Sequence, residues 1–145
     1  MIMIDPGARK EMINDALNSF PDECCGFFFG REDENSRLIT DIIVVDNAKE
    51  GDKRRRFEIS HLDYIKAEQF ADGHHLQLLG VYHSHPNHPA IPSEHDRVAA
   101  QPYFSYIIIS VIEKQYHDFR SWRLNDESKF VEEKIADQFL INQNK

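Results

Sequence analysis

His83 and His85, separated by one residue, put two imidazoles on the same face of a strand, because alternate strand side chains point the same way. The apolar run Leu78-Leu79-Gly80-Val81-Tyr82 immediately upstream supplies that strand. Pro86-Asn87-His88-Pro89-Ala90-Ile91-Pro92 then turns the chain. Ser93 follows as a helix N-cap, and Asp96 falls in the first helical turn. Any fold for this chain must therefore bring a strand end and a helix start together here. Two imidazoles, a hydroxyl and a carboxylate are confined within fourteen positions. Zinc is held by neutral imidazole and carboxylate ligands, and a catalytic site keeps its fourth position open for water. His83, His85 and Asp96 make up such a three-ligand set. A His-rich turn with a capped helix behind it is the alternative, since a capping Ser and a first-turn Asp need no metal to explain them.

The pattern resembles the JAMM (MPN+) family of zinc metallopeptidases, whose motif is a distant Glu, then His-x-His-Pro, Ser and Asp at these spacings. Pro86 fits it. Leu79–Tyr82 and Tyr106–Ser110 resemble the family's strands before and after the motif. Pro21-Asp22-Glu23-Cys24-Cys25-Gly26-Phe27-Phe28-Phe29-Gly30 resembles its Pro-x-Glu-x-Cys-Gly-(apolar)3-Gly segment. The likeness runs from about Ala8 to about Leu124. It implies that His83, His85 and Asp96 bind one zinc per chain. It also implies that Glu23 is the general base and acid, and that Ser93 hydrogen-bonds the water or the oxyanion. The chemistry is coherent: zinc brings the pKa of water to about 7, a nearby carboxylate moves the proton, and a fixed donor stabilises developing charge.

A chain of 145 residues fits one domain, 1–145, with a core that needs no staples. Its net charge of −8 argues against general nucleic-acid binding, which depends on neutralising phosphates. Met1-Ile2-Met3-Ile4-Asp5-Pro6 is too short and too soon charged for a signal peptide, and no apolar run reaches membrane-spanning length. The only cysteines, Cys24 and Cys25, are adjacent and poorly suited to a structural disulfide, which points to a reduced, cytoplasmic protein. One of them, with Cys25 favoured, is expected to be a buried structural residue.

Asp5 and Pro6 open an amphipathic helix over residues 6–20, with Met12, Ile13, Ala16, Leu17 and Phe20 at helical spacing. Phe27–Phe29 is a buried strand stopped by Gly30 and a turn over Arg31–Ser36. Leu38–Val45 is a second strand and Arg55–Ile59 a third. Ser60 and Asp63 resemble a capping box opening a helix to about Ala71, with Leu62, Ile65 and Phe70 inward and Gly73 as its stop. Tyr103–Ile112 and Tyr116–Leu124 form a strand pair around Glu113–Gln115. The tail is either a helix through Val131, Ile135 and Phe139 or an edge strand over Phe130–Ile135. The pattern is mixed α/β. The resemblance implies a central, curved mixed sheet flanked by helices, layered like cytidine deaminases, with zinc at the end of the motif strand.

Lys53-Arg54-Arg55-Arg56 reads either as a solvated loop or as a docking patch for an acidic partner. His88 is assigned to the loop, because a fourth protein ligand would close the position water needs. His74, His75 and His95 read as exposed, Trp122 and the phenylalanines as core. Function is read in two classes. The first is a peptidase or isopeptidase; the resemblance implies action on a ubiquitin-like or sulfur-carrier protein with a diglycine tail, which can add beside a sheet edge. The second is a catalytically silent interaction module, as some relatives are, although those typically lack ligands that this chain has. A nucleobase deaminase would need His-x-Glu and Pro-Cys-x-x-Cys, and neither occurs.

Overall fold

The computed structural model describes residues 1–136. Ten elements follow in chain order: β1 (Ile2–Ile4), α1 (Pro6–Ser19), β2 (Cys25–Glu32), β3 (Arg37–Val45), α2 (His61–Gly73), β4 (Gln77–Pro86), α3 (Glu94–Ala99), β5 (Ser105–Ile112), β6 (Gln115–Leu124) and β7 (Phe130–Glu133). The helix starts are chemically defined. Asp5 accepts from the Ala8 amide ahead of Pro6, and Ser60 accepts from the Asp63 amide.

The strands form one seven-stranded sheet in the order β1-β3-β2-β4-β5-β6-β7. It is mixed: β1–β3 and β4–β5 are parallel and the remaining pairs antiparallel. The sheet curls until its ends meet. Ile2 N donates to Lys134 O and Ala136 N to Ile2 O, both at 2.8 Å, in a bridge between Ile2 and Ile135. The fold is the mixed α/β architecture read from the sequence, with the curved sheet that the family resemblance implies.

Two apolar clusters flank the sheet, and strand alternation decides which residue joins which except at Leu79, where a register shift between β2 and β4 puts it on the face opposite to Val81. Phe28, Leu79, Tyr82, Ile107 and Ile109 pack with Met12 and Ala16 of α1. Phe27, Phe29, Val81 and Tyr106 pack with Ala67 and Ala71 of α2. All three phenylalanines of β2 are therefore fully buried, one toward α1 and two toward α2.

Several expectations need correction. Residues 55–59 are not a strand. Arg56–Ser60 lies outside the ladder, tied instead to the loop after β3 by Ala48 N to Glu58 O at 2.8 Å and by Glu58 N to Asn47 Oδ1 at 3.1 Å. Leu62 and Ile65 face outward, 58% and 51% exposed; Tyr64, Ala67, Phe70 and Ala71 form the inner face of α2. Gly30 does not stop β2. It sits at a register shift where a Cβ would overlap the Leu38 carbonyl, and the strand continues to Glu32. Both cysteines are buried, not Cys25 alone. Residues 130–133 are a strand, β7; Phe139 lies outside the described residues. β1, unforeseen in the sequence, pairs with β3 through three residues.

The parallel contact of β4 with β5 is close where it supports the histidines. A Cβ on Gly80 would overlap the Ser105 carbonyl oxygen and come within 2.5 Å of the Phe28 ring. Gly80→Ala should cost about 1–3 kcal/mol or more, because neither a paired backbone nor a buried ring can yield cheaply. Urea denaturation should give a lower midpoint at unchanged slope; an unchanged midpoint would contradict this packing.

Candidate metal centre

β4 carries the two imidazoles past the end of the apolar run. His83 and His85 lie on the α2 side, continuing the row of Val81, while Tyr82 faces the α1 cluster. Ser84, between the histidines, is fully buried, and its hydroxyl accepts from Cys24 N at 2.8 Å. Ser84 N donates to Cys24 O at 3.2 Å. These two bonds extend the β2–β4 pairing beyond Cys25 opposite His83. They bring the neighbouring residue, Glu23, to the histidines.

The loop after β4 is pinned at three places. Asn87 N donates to Val111 O, the Ser110 hydroxyl donates to His88 O, and Trp122 Nε1 donates to Ala90 O. It delivers Ser93 as the N-cap of α3 in a reciprocal capping box. The Ser93 hydroxyl accepts from Asp96 N at 3.1 Å, and Asp96 Oδ2 accepts from Ser93 N at 2.9 Å. The box fixes the Asp96 carboxylate, and the same Oδ2 faces the imidazoles.

Three ligand-type atoms then form a triangle. His83 Nε2 to His85 Nε2 is 3.1 Å, His85 Nε2 to Asp96 Oδ2 is 3.2 Å, and His83 Nε2 to Asp96 Oδ2 is 3.4 Å. Ligands at zinc distances on a tetrahedral ion are separated by about 3.4 Å, so the spacing fits. The proton inventory points the same way. His85 Nδ1 is 2.9 Å from the Pro89 carbonyl, which can only accept, so Nδ1 carries the hydrogen and Nε2 presents a lone pair. Asp96 Oδ2 is likewise an acceptor. Only His83 Nε2 can carry a hydrogen toward the other two, so converging lone pairs are left for a cation. Glu23 completes the group: a carboxylate oxygen and the two histidines' nitrogens lie within 4.8 Å of one another.

The electrostatics follow from burial. Glu23 is 4% exposed, and desolvation, reinforced by Asp96, pushes its pKa up to about 9, with the Arg56 guanidinium pulling the other way. Desolvation lowers the pKa of His83 despite Asp96, which keeps it neutral as a metal ligand must be. For Asp96, burial opposes ionisation, but the histidines and the Ser93 amide hold its carboxyl well below the usual range. Burial raises both thiols, Cys25 to about 12, so neither is a thiolate at neutral pH.

All five residues singled out from the sequence, Glu23, His83, His85, Ser93 and Asp96, thus meet at one place. His88, His74, His75 and His95 are exposed. Sequence reasoning missed two supporting residues. Phe57 stacks on the His83 ring, centroids 4.4 Å apart and planes 26° apart. Asn47 Nδ2 donates to Glu23 O at 3.1 Å and Arg56 O at 3.0 Å, while its Oδ1 accepts from Lys49 N and Glu58 N. The only local signal for either is the lone Asn after a strand, which by itself predicts a turn.

Cavities open on both sides of the triangle. One, of about 240 Å³, is lined by His83, Asp96, Lys49, Glu58 and His95 together with apolar groups such as Phe57 and Ile59. The other, of about 620 Å³, is lined by Glu23, His85, Ser93, His88, Arg54 and Arg55 among others.

Comparison with known proteins gives a consistent result. The model of prokaryotic homologs of the JAB domain matches residues 6–125. A Pyrococcus furiosus protein named desampylase is 26% identical over 134 residues, covering 92% of this chain and 89% of its own. A Mycobacterium tuberculosis protein named CysO-cysteine peptidase is 30% identical over 130 residues, covering 87% and 84%. The solution structure of a Desulfitobacterium hafniense protein aligns with a TM-score of 0.82 at 28% identity, over 94% of this chain and 92% of that one. The crystal structure of a JAB1/MPN domain protein from Archaeoglobus fulgidus shares the fold, with a TM-score of 0.57 at 18% identity over 94% and 100% of the two chains.

The elevated Glu23 pKa has a measurable sign. In metal-free protein the folded state holds a proton on Glu23 up to about pH 9, whereas the unfolded chain releases it near 4.5. Between those values the folded state binds more protons, so this contribution is full below the lower one and is lost as pH rises. With a chelator present, the wild type should lose more stability between pH 5 and 9 than Glu23→Gln. Parallel urea-midpoint profiles for the two proteins would contradict the buried, protonated carboxyl.

Proposed function

Because this chain belongs to the family of prokaryotic homologs of the JAB domain, we propose that it is a zinc-dependent peptidase or isopeptidase. Its substrate in this reading is the diglycine-type tail of a ubiquitin-like or sulfur-carrier protein. The observation that carries the proposal is the triangle of His83, His85 and Asp96 with the Glu23 carboxylate beside it. In this reading those three residues hold the ion, Glu23 is the general base and acid, and Ser93 is the hydrogen-bond donor.

When bound, zinc supplies a Lewis acid and makes water acidic enough to ionise near neutral pH. Glu23 takes the proton from the attacking water. It then returns that proton to the departing amine nitrogen as the carbon–nitrogen bond breaks. The buried setting that raises the carboxyl in metal-free protein suits it to carry a proton, and a divalent cation held by His83, His85 and Asp96 would favour its ionised form. The Ser93 hydroxyl already caps α3 with its lone pair, so its hydrogen is free to donate to the carbonyl oxygen as negative charge develops. Asp96 and the histidines stay in place because the capping box, the Pro89 carbonyl and the Phe57 stack hold them. Such preorganisation matters, since misplacement by about 1 Å can cost about a hundredfold in rate.

The names of the relatives, desampylase and CysO-cysteine peptidase, support hydrolysis at a small protein's tail. The site supports it too. β2 and β4 are paired on both sides, so a tail finds no free sheet edge beside the histidines. Phe57–Ile59 instead lines the smaller cavity beside His83, a suitable path for a thin glycine tail. No helix among the described residues is long and apolar enough to cross a membrane. The two free, buried cysteines fit a reducing compartment, and the proposed location is the cytoplasm.

Purified protein should contain about one zinc per chain, and His85→Ala should lose most of it. Elemental analysis after gel filtration decides; full zinc in the variant would remove His85 from the ligand set. Incubated with diglycine-tailed fusion proteins, the zinc form should release the tail product by mass, and Glu23→Gln should slow release by about a hundredfold or more with zinc retained. Near-wild-type turnover in that variant would assign proton transfer to another group.

A further inference from the structure

The basic run 53–56 has no role in the chemistry above, yet the fold builds it onto Glu23. Glu23 N donates to Lys53 O at 2.7 Å, and the Asn47 side chain joins Glu23 O to Arg56 O. Both ends of the run are thereby registered on the backbone of one buried carboxylate residue. In a chain of net charge −8, residues 49–56 carry five cations against Glu50 and Asp52.

Arg54 and Arg55 line the larger cavity together with Glu23, His85 and Ser93. Their charges are available to a ligand. Among the described residues Arg55 pairs only with Asp52, at 3.8 Å with both side chains well exposed, a pairing worth little. Among the described residues no carboxylate lies within 4.0 Å of the Arg54 guanidinium. The cavity on the other side of the triangle does not include Glu23 and has neither arginine; its one cation, Lys49, stands with Glu58 and Asp96 in the same lining.

That asymmetry gives the site a direction. The departing nitrogen receives its proton from Glu23, so the leaving group exits on the Glu23 side, into the cavity edged by the two arginines. Guanidinium groups recognise carboxylates in paired hydrogen bonds. We propose that Arg54 and Arg55 form a carboxylate subsite for the leaving group, selecting a residue whose amine departs with a carboxylate close beside it. This deepens the hydrolase reading and rests on it. In the reaction, water adds to the acyl carbon, the carbon–nitrogen bond breaks and the amine takes the proton from Glu23, while the recognised carboxylate stays unchanged. It has two possible sources: the α-carboxylate of a single terminal residue, or an acidic side chain at that position.

The test uses one ubiquitin-like domain ending in Gly-Gly followed by alanine with a free carboxylate, alanine amide or aspartate amide. Cleavage by the zinc enzyme is measured as kcat/KM, and binding to zinc-loaded Glu23→Gln by calorimetry. The free acid should be preferred over alanine amide by about tenfold in both measurements, and Arg54→Gln/Arg55→Gln should bring the ratio near one. Aspartate amide behaving like the free acid assigns the subsite to any carboxylate there; behaving like alanine amide, it assigns the subsite to the α-carboxylate. Discrimination in binding without cleavage would keep the subsite and remove the hydrolase reading. Cleavage with no preference for the acid, a preference that survives in the double variant, or no binding of any fusion would overturn the subsite.

Discussion

The register of β2 against β4 is the constraint on which the rest depends. Cys25 stands opposite His83, and Ser84 takes the next step through its hydroxyl and amide to Cys24. A one-residue slip would send every side chain of β2 to the opposite face. Phe28 would leave the α1 cluster, Phe27 and Phe29 would leave the α2 cluster, and Glu23 would no longer meet the histidines. Burial of the three phenylalanines therefore sets the position of a polar group several residues away. At roughly 1.5–3 kcal/mol for each buried large side chain, the packing term holding this register is large.

The candidate site works against that packing. It gathers two carboxylates and two neutral imidazoles where there is little water, and their responses differ. Asp96 stays ionised because His83, His85 and the Ser93 amide favour its charged form, whereas Glu23, with fewer partners and Asp96 as a neighbour, retains its proton. A cation at the triangle would answer both the converging lone pairs and the buried negative charge. The donor set is of the nitrogen and oxygen kind that suits zinc.

Much of this was legible in the chain because it is local. His83 and His85 share a strand face by simple alternation, and Ser93 and Asp96 form a capping box that needs only three intervening bonds' worth of helix. What escaped is non-local. A β-rich stretch such as Arg55–Ile59 reads as a strand, but whether it joins the sheet depends on distant contacts, and here Glu58 is held by Ala48 and Asn47 instead. In α2, Leu62 and Ile65 fit an apolar stripe as well as Tyr64 and Phe70 do; the small Ala67 and Ala71 decide the phase by letting the helix approach Phe27 and Phe29. Asn47 bonds to residues 24 and 9 positions away, and no spacing in the sequence announces that.

The meeting of Ile2 with Ile135 has its own consequence for the protein in a crowded solution. An open sheet of seven strands offers two rows of unpaired peptide groups, each a template on which another chain can polymerise. Here the first strand is three residues long and the last four, and the curl brings the chain beyond β7 back against β1. The same curl that wraps the sheet around α1 thus covers part of its outer borders where β1 and the chain after β7 meet, reducing the surface for fibre-like self-association.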